Sequence, residues 1–226
     1  MDEVLEQLKD GVRKFQAEVY PLRAEVFAQA ASEPQRPQTL FITCADSRID
    51  PNEITSSGTG DVFVTRNIGN MVPAYGEMLG GVSAVIEFAV SSLGVKHIVI
   101  CGHSDCGAMK ALLQPESVEK MPTVKSWLTN AHTALSVAEK LYERDVEEGS
   151  DKTLLQELTE QNVLLQMRHL KTHPSVASAI AVEELSISGW VYEIGSGVVK
   201  VAEDGERSFT AIERAAAGDG ESPHWV

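Results

Sequence analysis

The stretch that decides the fold is Lys96-His97-Ile98-Val99-Ile100-Cys101-Gly102-His103-Ser104-Asp105-Cys106-Gly107. Its first half is apolar and β-branched, which predicts a buried strand, because such side chains pack well in a sheet that is covered on both faces. Its second half changes abruptly to small and polar residues, among them His103 and Cys106. In open α/β sheets ligands bind outside the carboxyl ends of the strands, so this turn is the first candidate for a functional site.

The chain before this stretch repeats the same design. Residues 39–43 and 61–66 are short apolar runs that predict two further strands, and residues 80–93 predict a mostly apolar helix. The order strand, helix, strand predicts a parallel sheet with right-handed crossovers.

Helices dominate the two ends of the chain. Residues 122–144 and 151–171 are predicted to form two long amphipathic helices, and a third begins after Pro174. Residues 186–202 resemble a hairpin that would extend the sheet. Residues 2–31 predict a helical arm with apolar residues at three- and four-residue steps. Such a stripe must pack against the core of the same chain or against a partner subunit.

These elements together predict an α/β fold with a central, mostly parallel β-sheet flanked by helices, an N-terminal helical arm and a C-terminal strand extension. We find no repeat or change of composition that demands a second domain. We therefore expect a single domain over residues 1–226, with the arm at 1–31, the catalytic core at 32–202 and a polar tail at 203–226.

Composition excludes several classes of protein. The 226 residues carry 19 Lys and Arg against 33 Asp and Glu, a formal net charge of −14. Nucleic acids and anionic membranes attract clustered basic residues, so we expect neither as a partner. The longest apolar zone, residues 80–90, is far shorter than the roughly 18–20 residues of a membrane span. Three cysteines and an acidic N-terminus argue against a secreted, disulfide-bonded protein, so we expect a cytoplasmic one.

The ends of two predicted strands carry the reactive residues. Cys44 follows one strand, and His103 and Cys106 follow the other. Two thiolates and one imidazole suit Zn²⁺, and three protein ligands leave its fourth position open, as in catalytic zinc sites. Asp46 and Arg48 form a plausible orienting pair beside a metal thiolate. Each of these residues alone also has an ordinary structural explanation, such as a packed thiol or a turn-forming carboxylate, but their combination favours a metal site.

Three motifs resemble those of the β-class carbonic anhydrases. They are Cys44-Ala45-Asp46-Ser47-Arg48, Arg66-Asn67-Ile68-Gly69-Asn70 and Cys101-Gly102-His103-Ser104-Asp105-Cys106-Gly107-Ala108, and the stretch from Gly189 to Ile194 fits as well. The resemblance covers roughly residues 30–202. It implies reversible hydration of carbon dioxide to bicarbonate and a proton by a zinc-bound hydroxide. It also implies one Zn²⁺ per chain on Cys44, His103 and Cys106, with Asp46 and Arg48 as the catalytic dyad.

The same resemblance implies a homodimer or a dimer-based tetramer, in which the N-terminal helices wrap a neighbouring subunit. It places the substrate cleft at Gln35, Phe63, Ile68, Phe88 and Gly107. Apolar walls suit carbon dioxide, which offers little to hydrogen-bond. One subtype of the family holds bicarbonate in a side pocket that uses a Trp three residues before the first zinc cysteine. Phe41 occupies that position here, which favours the plant-like, open subtype, although Phe88 replaces the Tyr usual in that subtype.

The implied ligand set predicts how activity depends on pH. Two thiolates cancel the formal charge of Zn²⁺, whereas three neutral imidazoles leave it in place, so water bound here is expected to be less acidic than at a three-histidine site. We therefore expect the rate of carbon dioxide hydration to rise toward alkaline pH. A rate profile that is flat from about pH 6 to 9 would contradict this expectation.

Other functions fit the sequence less well. The same metal site is equally compatible with hydrolysis of carbonyl sulfide or carbon disulfide, because the ligand set does not distinguish these linear substrates from carbon dioxide. A dinucleotide- or phosphate-binding module would need a spaced glycine fingerprint, which is missing. A redox module would need two cysteines separated by two residues, whereas four separate Cys101 and Cys106. Cys101 is interpreted as a small core residue. A zinc-binding relative without activity would not need both Asp46 and Arg48.

Overall fold

The chain divides into two compact units, one up to Arg36 and one from Pro37 onward. The computed structural model describes residues 2–77 and 79–213. Within these ranges no helix is both long and apolar enough to cross a membrane. The predicted tail beyond residue 213 lies outside the described residues, and the single domain over 1–226 stays a prediction.

The N-terminal unit is helical, as predicted for the arm. Helices α1 (Asp2–Lys14) and α2 (Ala24–Ser32) are joined by a π turn and a short 3₁₀ turn that begins at Pro21. Proline has no N–H to donate, which explains why the α-helical hydrogen bonds are interrupted there. Most apolar side chains along α1 are exposed, with exposed fractions of 53% to 66% for Val4, Leu5, Leu8 and Val12.

The larger unit contains the sheet and the remaining helices. The helices are α3 (Pro51–Thr55), α4 (Gly81–Phe88), α5 (Gly107–Leu113), α6 (Pro122–Trp127), α7 (His132–Glu147), α8 (Leu154–Leu170) and α9 (Pro174–Ala181). The strands are β1 (Thr39–Cys44), β2 (Val62–Asn67), β3 (His97–His103), β4 (Ser186–Glu193), β5 (Val198–Glu203) and β6 (Thr210–Ala211).

The described strands form one sheet in the order β2-β1-β3-β4-β5-β6. The first four run parallel to their neighbours, and β5 and β6 add antiparallel pairs at one edge. This confirms the predicted mostly parallel sheet with a C-terminal strand extension. Because β1 and β3 are neighbours, with Thr43 opposite Cys101, the strand ends at Cys44 and His103 lie side by side.

Helix α8 packs closely against one face of the sheet. A Cβ atom at Gly189 would lie only 2.6 Å from Met167 Sδ and from Val163 Cγ1, and one at Gly102 would lie 2.8 Å from Val163 Cγ2. Contacts this short are sterically forbidden, so the two glycines allow α8 to approach β3 and β4. On the opposite face Cys101 is fully buried, which raises the pKa of its thiol to about 12 and agrees with its interpretation as a core residue.

The helix predicted over residues 122–144 is not continuous. Helix α6 ends at Trp127, a 3₁₀ turn follows, and α7 starts at His132. Around the break, Thr129 Oγ1 donates to Ser126 O and Asn130 Nδ2 donates to Trp127 O. These side chains satisfy carbonyl groups near the end of α6, which local polar side chains can do in place of further helical hydrogen bonds.

Helix α3 and strand β6 were not predicted. Helix α3 has a clear start signal, because Asp50 Oδ1 accepts hydrogen bonds from the backbone N–H groups of Asn52 and Glu53, and Pro51 occupies the first helical position. Strand β6 has only two residues, so no alternation of apolar side chains announces it.

Candidate metal centre

Three side chains with metal-binding atoms converge at the carboxyl ends of β1 and β3. The ligand atoms of Cys44, His103 and Cys106 all lie within 4.8 Å of one another, and all three residues are buried. We call them the Cys–His–Cys group. Within residues 2–77 and 79–213 it is the one set of three such residues close enough to hold a metal ion. The sequence had singled out the same three residues.

The backbone around the group is held by β4. Ser104 N donates to Tyr192 O at 2.9 Å, and Ser104 Oγ accepts from Ile194 N at 3.0 Å. Asp105 then adopts a left-handed conformation with φ of 61°, which turns the chain so that Cys106 lies immediately before α5. A short turn thus brings His103 and Cys106 to the same point.

The ring of His103 is oriented for metal binding. Its Nδ1 lies 2.9 Å from Ser104 O, and because a carbonyl oxygen only accepts, this hydrogen bond assigns the ring proton to Nδ1. Its Nε2 is then left with a free lone pair. That atom is buried and has no hydrogen-bond partner among the described residues. A buried polar atom without a partner is costly, and a metal ion on Nε2 would remove this cost.

The sulfur atoms of Cys44 and Cys106 are close enough that one thiol stabilises the ionised form of the other. A hydrogen bond from the Cys106 thiol is the largest cause that lowers the pKa of Cys44, to about 4, against the opposing effect of burial. The same contact, together with burial, raises the pKa of Cys106 far above its usual range. A divalent cation between the sulfur atoms would stabilise both thiolates, so this donor set fits zinc.

Asp46 and Arg48 form a complete ion pair beside the Cys–His–Cys group. Arg48 Nε donates to Asp46 Oδ1 at 2.9 Å, Nη2 donates to Oδ2 at 2.7 Å, and the backbone N–H of Arg48 also reaches Oδ1 at 3.0 Å. The hydrogen bonds from Arg48 hold the pKa of Asp46 well below its usual range. Asp46 Oδ2 lies 3.9 Å from His103 Nε2, so the carboxylate is next to the candidate metal position.

Two side chains whose contacts the sequence did not reveal support this arrangement. Arg66 donates from Nε to Cys44 O at 3.0 Å and from Nη2 to Asp46 O at 2.6 Å, which clamps the loop after β1. Asp105 accepts a hydrogen bond from Arg48 Nη1 at 2.9 Å. Both residues belong to the motifs quoted above, but their contacts depend on backbone positions that the motifs do not encode.

An apolar cavity of about 700 Å³ lies beside the loop that follows Cys44. The loop after β1 contributes Ala45, the end of β2 contributes Asn67 and Ile68, and α6 contributes Val124 and Trp127. Trp127 Nε1 donates to Ile68 O at 2.8 Å, which ties α6 to the end of β2. Sequence reasoning missed this wall, because α6 lies far along the chain from the motifs.

The residues predicted to line the substrate cleft lie in several places. Ile68 lines the apolar cavity, and Gly107 is the exposed residue directly after Cys106. Phe63 and Phe88 contact each other with ring centroids 6.1 Å apart, and Phe63 lies opposite Leu40 near the start of β1. Gln35 belongs to the N-terminal unit, so its assignment to the cleft stays a prediction.

Three other histidines have structural partners. The ring of His97 bridges two serine hydroxyls of β4, at 2.6 Å and 2.7 Å. His169 and His173 each bind a backbone carbonyl, those of Val72 and Pro73. These hydrogen bonds give the three side chains structural roles, while His224 lies outside the described residues.

Comparisons with known proteins identify the family. A family model described as carbonic anhydrase matches residues 39–199. A carbonic anhydrase of Pseudomonas aeruginosa is 41% identical over 203 residues, which cover 90% of each chain. The solved structure of the β-carbonic anhydrase CcaA matches with a TM-score of 0.86 and 36% identity over 94% of this chain and 93% of that one. A structure from Sordaria macrospora, described as one of two tetrameric β-carbonic anhydrases, matches with a TM-score of 0.71 and 28% identity over 90% of this chain and 98% of that one. The chain therefore belongs to the β-class carbonic anhydrases, the zinc enzymes that hydrate carbon dioxide to bicarbonate.

Proposed function

We propose that Cys44, His103 and Cys106 hold one zinc ion and that Asp46 and Arg48 complete the active site for carbon dioxide hydration. The observation that carries this proposal is the convergence of three buried side chains whose ligand atoms lie within 4.8 Å of one another. One of these atoms, His103 Nε2, has no hydrogen-bond partner within residues 2–77 and 79–213. When bound, zinc lowers the pKa of a coordinated water, so that hydroxide is available near neutral pH.

In this proposal Asp46 orients the nucleophile. Its carboxylate is ionised at working pH because Arg48 lowers its pKa, so it accepts a hydrogen bond and cannot donate one. Asp46 therefore accepts the hydroxyl hydrogen of the nucleophile and directs the oxygen lone pair toward the carbon of the substrate. Arg48 contacts both carboxylate oxygens and keeps them at the edge of the Cys–His–Cys group.

Carbon dioxide is proposed to approach through the apolar cavity. The walls of this cavity include Ile68, Val124 and Trp127. Apolar side chains bind water weakly, so little bound water would compete with a small, weakly polar substrate. Gly107 is a proposed cleft residue because it directly follows Cys106. Gln35, Phe63 and Phe88 remain proposed cleft residues on the strength of the family resemblance.

We favour the plant-like, open subtype of the family for this chain. Both oxygens of Asp46 accept hydrogen bonds from Arg48, which holds the carboxylate beside the candidate metal position. Phe41, which stands where the other subtype has Trp, is fully buried and contacts Trp190 edge to face at 5.8 Å. These two features support a site that is open for substrate.

We also propose that the protein is a homodimer or a dimer-based tetramer. The exposed apolar stripe on α1 supports this proposal, because a stable helix of this kind buries its apolar face against a partner. The tetrameric relatives from Sordaria macrospora support it further. A cytoplasmic location is proposed because all three cysteines are free thiols, which a reducing compartment preserves.

The purified protein provides the direct test. We expect about one zinc per chain by elemental analysis and rapid carbon dioxide hydration in a stopped-flow assay with a pH indicator. Zinc bound without hydration activity would reject the catalytic proposal, and a protein purified without zinc and unable to bind it would reject the metal site as well.

A further inference from the structure

The turn between His103 and Cys106 carries a third side chain, that of Asp105, which contacts Arg48. Arg48 Nη1 donates to Asp105 Oδ2 at 2.9 Å, and Arg48 Nη2 lies 3.4 Å from the backbone oxygen of Asp105. Arg48 thus lies between two carboxylates, that of Asp46 on the loop after β1 and that of Asp105 on the turn after β3. Arg48 and Asp105 are 57 positions apart in the chain.

We propose that Asp105 is a positioning residue for carbon dioxide hydration, which holds the guanidinium of Arg48 and, through it, the carboxylate of Asp46. This inference rests on the proposed role of Asp46 and Arg48. It assigns to Asp105 no contact with substrate or metal, and its effect on the reaction passes through Arg48.

The geometry of the guanidinium supports this role. The N–H donors of the guanidinium point outward in one plane. Asp46 accepts hydrogen bonds from Nε and Nη2 at one edge, and Asp105 accepts one from Nη1. With Asp46 as its only carboxylate partner, the guanidinium would be held from the loop after β1 alone. The contact from Asp105 adds an anchor on a different strand end. Because the side chain of Arg48 is 44% exposed, water would compete for Nη1 without that anchor.

Asp105 is itself held in place from two directions. Its backbone has φ of 61°, a left-handed conformation that is uncommon outside glycine and is tolerated by Asp and Asn. Its other carboxylate oxygen, Oδ1, pairs with Lys110 on α5. Glycine would adopt this backbone conformation with less strain. The two ion pairs give a reason for an aspartate at this position.

A simpler explanation is that Asp105 only stabilises the turn that supplies His103 and Cys106. The two explanations differ in what they predict for a double variant. If Asp105 acts through Arg48, its substitution has no further effect once Arg48 has been replaced. If Asp105 supports the turn alone, its effect multiplies that of the Arg48 variant and is accompanied by loss of zinc.

The first experiment compares Asp105→Asn with the wild type by stopped-flow kinetics. Asn preserves the shape of the side chain and tolerates the left-handed backbone, but it lacks the charge that binds Arg48. We expect kcat to fall about three- to tenfold with KM unchanged, because the apolar walls that meet the substrate are untouched, and with about one zinc per chain retained. The matched control is Asp145→Asn, which breaks an Arg–Asp ion pair with Arg144 on α7 and should leave kcat unchanged.

The second experiment is a double-mutant cycle with Arg48→Gln. We expect Asp105→Asn to be neutral in the Arg48→Gln background. A further fall in kcat there, or an unchanged kcat in zinc-loaded Asp105→Asn, would overturn the proposal. If Arg48→Gln itself kept full activity, the proposed dyad would fail and Asp105 would lose its role with it. If the wild type is active and Asp105→Asn has the same kcat, the positioning role of Asp105 is rejected while the proposed function of the site stands.

A third measurement does not depend on turnover. The Nε–H of Arg48 is hydrogen-bonded to Asp46 and can be followed by side-chain ¹⁵N NMR, with Arg48→Gln used to assign it. We expect this proton to exchange with water faster in Asp105→Asn than in the wild type or in Asp145→Asn, and equal exchange in all three would count against the proposal. If Asp105→Asn fails to hold zinc, Asp105→Gly replaces it, because glycine suits the left-handed backbone. Loss of zinc from both variants would assign Asp105 to the metal-binding turn and overturn the proposal.

Discussion

The Asp46→Asn variant is expected to bind zinc normally and to hydrate carbon dioxide about 10²- to 10⁴-fold more slowly than the wild type. The amide removes one of the two acceptor oxygens that Arg48 now contacts. The NH₂ group of the amide has two possible orientations. If it faces the guanidinium, two donors oppose each other, and if it faces the nucleophile, it donates a hydrogen bond where the carboxylate accepted one. The large effect follows because the substituted atom, Oδ2 or Oδ1, lies at the edge of the Cys–His–Cys group, with Oδ2 only 3.9 Å from His103 Nε2.

A matched control for this variant lies four residues further along the chain. Asp50 caps α3 through hydrogen bonds from the backbone N–H groups of Asn52 and Glu53, and Asn serves as a helix cap about as well as Asp. The Asp50→Asn variant should therefore keep its activity and its stability. The measurement is stopped-flow hydration of both variants at equal zinc content. Full activity of Asp46→Asn would exclude the proposed dyad even if the zinc ligands were right.

Much of the metal centre could be predicted because it depends on local pattern and a general rule of topology. The β-branched run before Cys101 predicts a buried strand, and parallel strands present their carboxyl ends at the same edge of a sheet. Cys44 and His103 each end such a strand, so their proximity followed once β1 and β3 were neighbours. The pairing of Asp46 with Arg48 was predictable for the same reason, since only one residue separates them in the chain.

The contacts that could not be predicted depend on backbone conformation or on distant segments. The Asp105–Arg48 ion pair occurs with a left-handed φ at Asp105, a conformation that no residue type enforces and that even glycine only permits. The wall formed by Trp127 depends on the break between α6 and α7, and the amphipathic pattern of residues 122–144 continues through that break. Periodicity reports which face of a helix is apolar, but it does not report where local polar side chains end the helix.

Removal of one zinc ligand is expected to have the largest effect of all. In Cys106→Ala only one thiolate and one imidazole remain, and two ligands do not hold zinc against dialysis with a chelator. We expect the variant to contain no zinc and to show only the uncatalysed rate of carbon dioxide hydration. Its melting temperature should also fall, because metal bound only to the folded state stabilises that state. Elemental analysis, stopped-flow hydration and thermal unfolding measure these three effects.

Cys101→Ala is the control that separates loss of a ligand from loss of a buried cysteine. Cys101 lies in β3, outside the Cys–His–Cys group, and is fully buried. Burial raises the pKa of its thiol to about 12, so the thiol is neutral. Its replacement should cost about 1 kcal/mol of unfolding free energy through lost packing and leave zinc content and turnover intact. Both cysteines are buried and unpaired, so any difference between the variants reports metal binding and not burial. Zinc retained in Cys106→Ala, or lost in Cys101→Ala alone, would show that the ligand set is a different one.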